Sequence, residues 1–187
     1  MKPAARFILR AAAIRIPHKL RIYDLNRLPA DKKQWYTEQI LACQSGLYRL
    51  AAGILKNEQD ACDALQDALC TGYEKLDSLK DPSRFRPWMM KITVNAAYDI
   101  LRQKKVFVNL DDIEDIPQEK THVSETDSLS LKEAVASLPR AYRTVVILFY
   151  YEDLSVRQIS EITGVPSGLV RTRLSRARQM LRRLWNE

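Results

Sequence analysis

Wound at about 100° per residue, the segment that follows Gly164 gathers Arg171, Thr172, Ser175, Arg176, Gln179, Arg182 and Arg183 onto one arc. No acid stands on this stretch before Glu187, so pairing of opposite charges at i,i+4 cannot be the purpose of the arginines. The ordinary account of such a row is the solvated face of an amphipathic helix. A row of guanidiniums, hydroxyls and an amide without counter-charge suits a different chemistry, in which cations hold phosphate and forked donors read base edges. Residues in the first turns reach furthest into a groove, so Arg171, Thr172, Ser175 and Arg176 are the expected readers. Arg173 and Arg178 flank the apolar side and are expected to touch phosphate or to pack by their stems.

Such an arc works only if it is held rigidly, and the flanking residues supply the means. Ser155 with Gln158 three positions later forms a capping box that starts a helix. Ile159 and Ile162 give that helix an inward edge. Gly164 can take the left-handed backbone that ends it, and Pro166 favours a fresh start. In the second helix Val170, Leu174, Ala177, Leu181 and Leu184 fall on one narrow stripe opposite the arc. Helix, tight turn and cationic helix are the grammar of a helix-turn-helix whose second helix enters a DNA major groove.

Helical periodicity also runs from about residue 35 to residue 106. Ile40, Leu47, Leu50, Ala51 and Ile54 line one amphipathic helix. Asn57 caps a second, with Asp60 at its third position and Ala61, Ala64, Leu65, Ala68 and Leu69 on its inner face. Asp60, Asp63 and Asp67 fall on or beside the outer face, near Gln66. After a turn at residues 80–83, a third helix starts near Phe85, with Pro87 tolerated in its first turn. Phe85, Met89, Ile92, Ala96 and Ile100 are its expected buried face. Lys91, Asn95, Tyr98, Arg102 and Lys105 form a neighbouring stripe at spacings of four, three, four and three. Cations for phosphate, a ring for stacking and an amide for a base edge suit single-stranded or distorted DNA. Taken alone, that stripe is equally compatible with an ordinary polar face.

The 187 residues can bury one moderate core or two small ones. Five glycines and little strand-like alternation argue against a sheet-rich fold. The longest apolar run, residues 145–151, is far short of the roughly 20 residues that a membrane span needs and reads as a buried helix. Three cysteines, odd in number and without paired metal-ligand spacing, fit a reducing cytoplasm. His18 and His122 are isolated, and no metal or cofactor is expected. The net charge of +7 is unevenly spread: +7 over residues 1–33, +1 over 34–105, −6 over 106–131 and +5 over 132–187. The expected architecture is all-α: a poorly ordered basic extension (1–34), a helical domain (35–106), a flexible acidic linker (107–128) and a helix-turn-helix domain (129–187). The apolar stretch inside the extension is too short and too interrupted by arginine for a secretory signal.

Three segments occur in an order that resembles the extracytoplasmic-function (group IV) sigma factors of bacterial RNA polymerase. Asp60-Ala-Cys-Asp-Ala-Leu-Gln-Asp67 resembles conserved region 2.2 of that family. Residues 85–102, Phe-Arg-Pro-Trp-Met-Met-Lys-Ile-Thr-Val-Asn-Ala-Ala-Tyr-Asp-Ile-Leu-Arg, resemble regions 2.3 and 2.4. Leu138-Pro-Arg-Ala-Tyr-Arg143 followed by the helix-turn-helix resembles region 4. The resemblance implies that Asp63, Gln66 and Asp67 dock on core RNA polymerase. It further implies that Arg84 in the 80–84 loop, with Lys91, Asn95, Tyr98 and Arg102, reads the −10 element. Arg171, Thr172, Ser175, Arg176 and Arg178 become the −35 contacts, and the acidic linker becomes a segment threaded through the polymerase. An anti-sigma factor, often membrane-bound in this family, is an implied partner beside promoter DNA and core polymerase. Housekeeping relatives carry adjacent aromatics that wedge DNA apart. Here Trp88 is followed by Met89 and Met90, which implies less autonomous melting and stricter promoter choice.

Two other functions compete. A stand-alone helix-turn-helix regulator would need a sensor or receiver pocket in the first domain, which instead offers an acidic helix and a cationic-aromatic stripe. A recombinase-like enzyme would need a nucleophilic serine or tyrosine among clustered arginines, or an acidic metal site; neither context occurs, so no catalytic residue is expected.

Overall fold

The structure, a computed structural model, describes residues 30–106 and 131–186. The basic extension up to residue 29 and the acidic linker expected at 107–128 lie outside them. The described residues form helices joined by short turns, with no strand among them, in two lobes. The first lobe holds α1 (Ala30–Leu55), α2 (Glu58–Glu74) and α3 (Phe85–Val106), with single 3-10 turns at Leu76–Ser78 and Pro82–Arg84 joining the last two. The second holds α4 (Leu131–Ser137), α5 (Arg140–Val146), a π-helical turn at Ile147–Tyr151, α6 (Val156–Thr163) and α7 (Ser167–Asn186). The first helix begins at Ala30, so the last residues of the expected extension are helical.

Local chemistry accounts for the helix ends. Asn57 takes an extended backbone and its side chain accepts from the Asp60 amide at 2.9 Å, which starts α2. Asp81 does the same for the Pro82–Arg84 turn through the Ser83 amide. At Ser155 the capping box is complete: the Gln158 amide donates to Ser155 Oγ at 3.3 Å, and the Ser155 amide donates to Gln158 Oε1 at 2.9 Å. Gly164, at φ +71°, ends α6 in the left-handed region that a side chain would resist.

In the first lobe Leu47, Leu50, Ala51 and Ile54 of α1 meet Ala61, Ala64, Leu65 and Ala68 of α2. The alanines of α2 let α3 approach closely, and Tyr36, Tyr73 and Phe85 close one end with edge-to-face rings. The buried face of α3 is Phe85, Met89, Met90, Thr93, Val94 and Ala97. Ile92, Ala96 and Ile100, expected on that face, are half-buried instead. The cause is that α3 packs against α1 and α2 and also against α6 of the second lobe, so no single stripe defines its interior. In α7 Val170, Leu174 and Ala177 are buried as the period predicts, whereas Leu181 is half-buried and Leu184 is exposed. The run at 145–151 is not one buried helix. Its first four residues are buried, but the chain then widens into the π turn, and Tyr150 and Tyr151 are exposed.

The lobes are in contact. At the end of α1, Lys56 adopts φ +54° and returns its amide to Ala52 O, leaving the next carbonyls unpaired within the helix. Arg143 Nε donates to Gly53 O and Arg140 Nε to Ile54 O, so two guanidiniums from the second lobe sit on the negative end of the α1 dipole. Burial, followed by the two arginines, pulls the Lys56 ammonium below its usual pKa. Arg143 is buried and also donates through Nη1 to Ala136 O and Leu138 O. Burial and then Arg140 pull its pKa to about 10, which leaves it charged at neutral pH.

Two stability predictions come from these contacts. Ser155→Ala removes one acceptor at the start of α6 and is expected to cost about 1 kcal/mol; an unchanged urea midpoint would show the cap to be energetically idle. Arg143→Met keeps the buried stem but strips three carbonyls of a charged donor. The expected loss is on the order of 3 kcal/mol, read by calorimetry against the wild type, and a loss below experimental error would refute it.

Candidate nucleic-acid interface

The helix-turn-helix is built as its caps dictate. Ile159 and Ile162 of α6 and Val170, Leu174 and Ala177 of α7 are buried together, so the two helices are held by one apolar seam. The seam turns the other side of α7 outward. Arg171, Thr172, Ser175, Arg176 and Arg178 are all exposed, and so are Gln179, Arg182 and Arg183. Arg173 is half-buried beside the seam. Thr172 Oγ1 donates back to Gly168 O at 3.1 Å, which holds its methyl group and hydroxyl in one orientation. Arg84, Arg86, Arg102 and Arg157 elsewhere in the molecule each meet a carboxylate, whereas the exposed arc of α7 carries no acid of its own. The arc is therefore uncompensated within its own helix.

The second cationic surface lies on α3 and the loop before it. Lys91, Asn95 and Arg102 are exposed and Tyr98 is half-buried, so the structure brings them to one side of α3. Arg102 pairs with Asp99 one turn back, which partly neutralises the far end of the stripe. The side chain of Lys105 lies outside those described. Ahead of α3, Asp81 accepts from both the hydroxyl and the amide of Ser83, and these bonds, the hydroxyl's first, hold its carboxyl below the usual range. The loop is thereby stiffened where Arg84 leaves it.

A cleft of about 270 Å³ opens beside this loop, lined by Lys80, Asp81, Arg84 and Lys91 from the first lobe and by Gln158 and Glu161 from α6. Trp88 stands at its wall, half-buried and tilted against Phe85 at 5.9 Å between ring centroids. Met89 and Met90 are fully buried, so neither stands where a wedge would. Across the cleft Arg84 Nη2 donates to Glu161 Oε2 at 2.7 Å, and Arg157 Nε meets the same carboxylate at 3.3 Å. The Arg84 hydrogen bond is the main cause holding the Glu161 carboxyl below its usual pKa.

On α2, Asp63 and Asp67 are exposed, but Gln66 is buried. Asp60 is largely covered and meets Lys104 of α3. The acidic surface is thus narrower than its sequence spacing suggests, because Gln66 lies on the side of α2 that carries the buried Tyr73.

Sequence reasoning missed the residues that join the lobes. Glu152 is 1% exposed, and its carboxylate receives Arg49 Nη1 and Arg86 Nη2, each at 2.6 Å. An acid directly after the longest apolar run was a usable signal for a buried charge, but nothing in the sequence indicated its partners or showed that Glu152 and not Asp153 is the buried one.

Two helical lobes, one with a capped helix-turn-helix and both with cationic surfaces, define a nucleic-acid-binding protein of the bipartite kind. Residues 40–106 match the family described as sigma-70 region 2, and residues 128–181 match sigma-70 region 4. The chain is 35% identical over 158 residues to the RNA polymerase sigma factor SigV of Bacillus subtilis, covering 81% of this chain and 93% of that protein. It is 31% identical over 152 residues to the extracytoplasmic-function sigma factor SigW of the same organism, covering 73% and 81%. Among solved structures, the sigma factor RpoE of Bartonella quintana, in complex with the anti-sigma factor NepR, superposes with a TM-score of 0.65. That match has 28% identity and covers 83% of this chain and 97% of that one. The chain belongs to the sigma-70 family, in its extracytoplasmic-function branch.

Proposed function

We propose that this chain is a promoter-specificity subunit that binds core RNA polymerase and directs initiation at a restricted set of promoters. The observation that carries the reading is the pair of cationic surfaces on separate lobes, one of them an acid-free arc on a rigid helix-turn-helix. On this reading Arg171, Thr172, Ser175 and Arg176 contact base edges of the −35 element, and Arg178 holds phosphate. Arg84, Lys91, Asn95, Tyr98 and Arg102 contact the −10 element, with the half-buried Tyr98 ring offered for stacking. Asp63 and Asp67 form the exposed part of the polymerase-docking surface, and Gln66 between them is buried. The chain supplies no catalytic group, since nucleotide addition belongs to the polymerase. No described helix is long and apolar enough to cross a membrane, and the proposed place of action is the cytoplasm, on the nucleoid. An anti-sigma factor is the proposed negative partner, by analogy with the relative solved in such a complex.

In-vitro transcription with core polymerase over a genomic promoter library tests the reading and delivers the promoter motif together. Arg171→Ala and Arg176→Ala are each expected to lose about 1–3 kcal/mol of discrimination at one −35 position. Identical rankings of −35 variants by wild type and mutant would remove that assignment. Reversing the charge of Asp63 and Asp67 together is expected to abolish co-purification with core polymerase while leaving circular dichroism unchanged; normal co-elution would refute the docking surface.

A further inference from the structure

One apolar side chain of α7 stands apart from the seam that holds the helix. Leu169 is 43% exposed, whereas Val170, the next residue, is fully buried and joins the same cluster as Leu174 and Ala177. With successive residues turned by about 100°, Leu169 points well away from that seam. Arg176 lies two turns ahead of it on nearly the same line, and Thr172 lies one turn ahead on the adjoining line. All three are exposed. Beside Leu169, nothing lies within 4 Å of the point where a side chain on Gly168 would begin, so the surface there is open. Thr172 Oγ1 has already given its proton to Gly168 O at 3.1 Å. Towards a ligand this residue therefore offers a methyl group and an acceptor but no donor.

A single exposed leucine is ordinary on a protein surface, and here its setting decides. Leu169 lies among Thr172, Arg173 and Arg176 in the first turn of the helix, where a recognition helix comes closest to base edges. Most of what a base edge shows in the major groove is a donor or an acceptor, which a leucine would dehydrate without return. The exception is the C5-methyl group, which among the four standard bases is presented there by thymine alone. We infer that Leu169 is a specificity-determining residue of the −35 reader and selects a thymine by packing on its C5-methyl group. The methyl group of Thr172 flanks the same position. A cytosine placed there lacks the methyl and turns an unpaired N4 donor towards the leucine. Arg176 supplies the hydrogen-bonding half of the readout, so one edge of the arc combines an apolar reader with a cationic one.

The inference rests on the proposed promoter reading, and the experiment separates the two. The full chain with core RNA polymerase first selects duplexes from a library randomised over the −35 element. Each thymine of the selected duplex is then replaced singly by deoxyuridine, which keeps every hydrogen-bonding edge and removes only the methyl group. The wild type is expected to bind one of these duplexes about fourfold more weakly, the worth of one buried methyl group. Leu169→Ala is expected to bind that duplex and its thymine parent alike. Leu169→Met keeps the apolar reach and is expected to restore the preference for thymine. A side chain that only supported the helix would, on substitution, lower affinity for both duplexes equally and leave the fourfold ratio intact. That result would overturn Leu169 as the methyl reader, and so would a wild type indifferent to deoxyuridine at every thymine, or a selected element that requires no thymine on either strand. All three leave the promoter reading standing. Selection without any sequence preference would remove the promoter reading, and the inference with it.

Discussion

A carboxylate that is 1% exposed sets the terms for how the two lobes meet. Alone in such a place Glu152 would cost several kcal/mol of lost hydration. Two guanidiniums, each at 2.6 Å, offset that cost, and both keep nearly half their side-chain surface in water. The arrangement works in one register only. It requires a glycine, Gly46, beneath the carboxylate, a π turn to bring the chain to it and a left-handed residue, Asp153, directly after. Buried ion pairs of this kind contribute little net stability but penalise every other register, because a shifted lobe strands the charge. Glu152 is therefore better understood as specifying the closed geometry than as supplying its strength.

The remainder of the contact mixes polar and apolar groups: Ile147 lies against Gly53, and the buried apolar residues of both lobes belong to one cluster. Arg140 and Arg143 complete the carbonyl end of α1, a task that water can take over once the lobes part. Arg143 Nη2 is buried without a hydrogen-bond partner, a cost that the closed form carries. Each lobe also has an interior of its own: Leu47, Leu50, Ile54 and Met89 in one, and Leu138, Leu148, Ile159 and Val170 in the other. The ions and caps thus act beside an apolar seam, and they fix the orientation of the second lobe on the first.

The sequence was most legible where structure is made locally. The caps at Asn57 and Ser155 and the turn at Gly164 depend on residues within four positions of one another, and all three are present as read. The apolar stripe of α7 was legible because that helix has one neighbouring side. Periodicity failed on α3, which is covered from two directions, so Met90, Thr93 and Val94 are buried where Ile92, Ala96 and Ile100 were expected. It failed for Gln66 as well, whose polar side chain masked an inward position. The pairs that join the lobes span 103 residues (Arg49 to Glu152) and 66 residues (Arg86 to Glu152). No spacing rule reaches that far, and only the folded chain brings those charges together.

Geometry also bears on whether the closed form can act as it stands. On the proposed reading the two DNA elements lie about 25 base steps apart, or roughly 85 Å at 3.4 Å per step. In this structure α6 of the second lobe packs directly on α3 of the first, a separation of about one helix diameter, 10–12 Å. The same arrangement cannot span both elements. The chain between α3 and α4, residues 107–130, could bridge at most about 80 Å when fully extended, and the lobes themselves add the remainder. On that reading, both elements are contacted together only when α6 is away from α3.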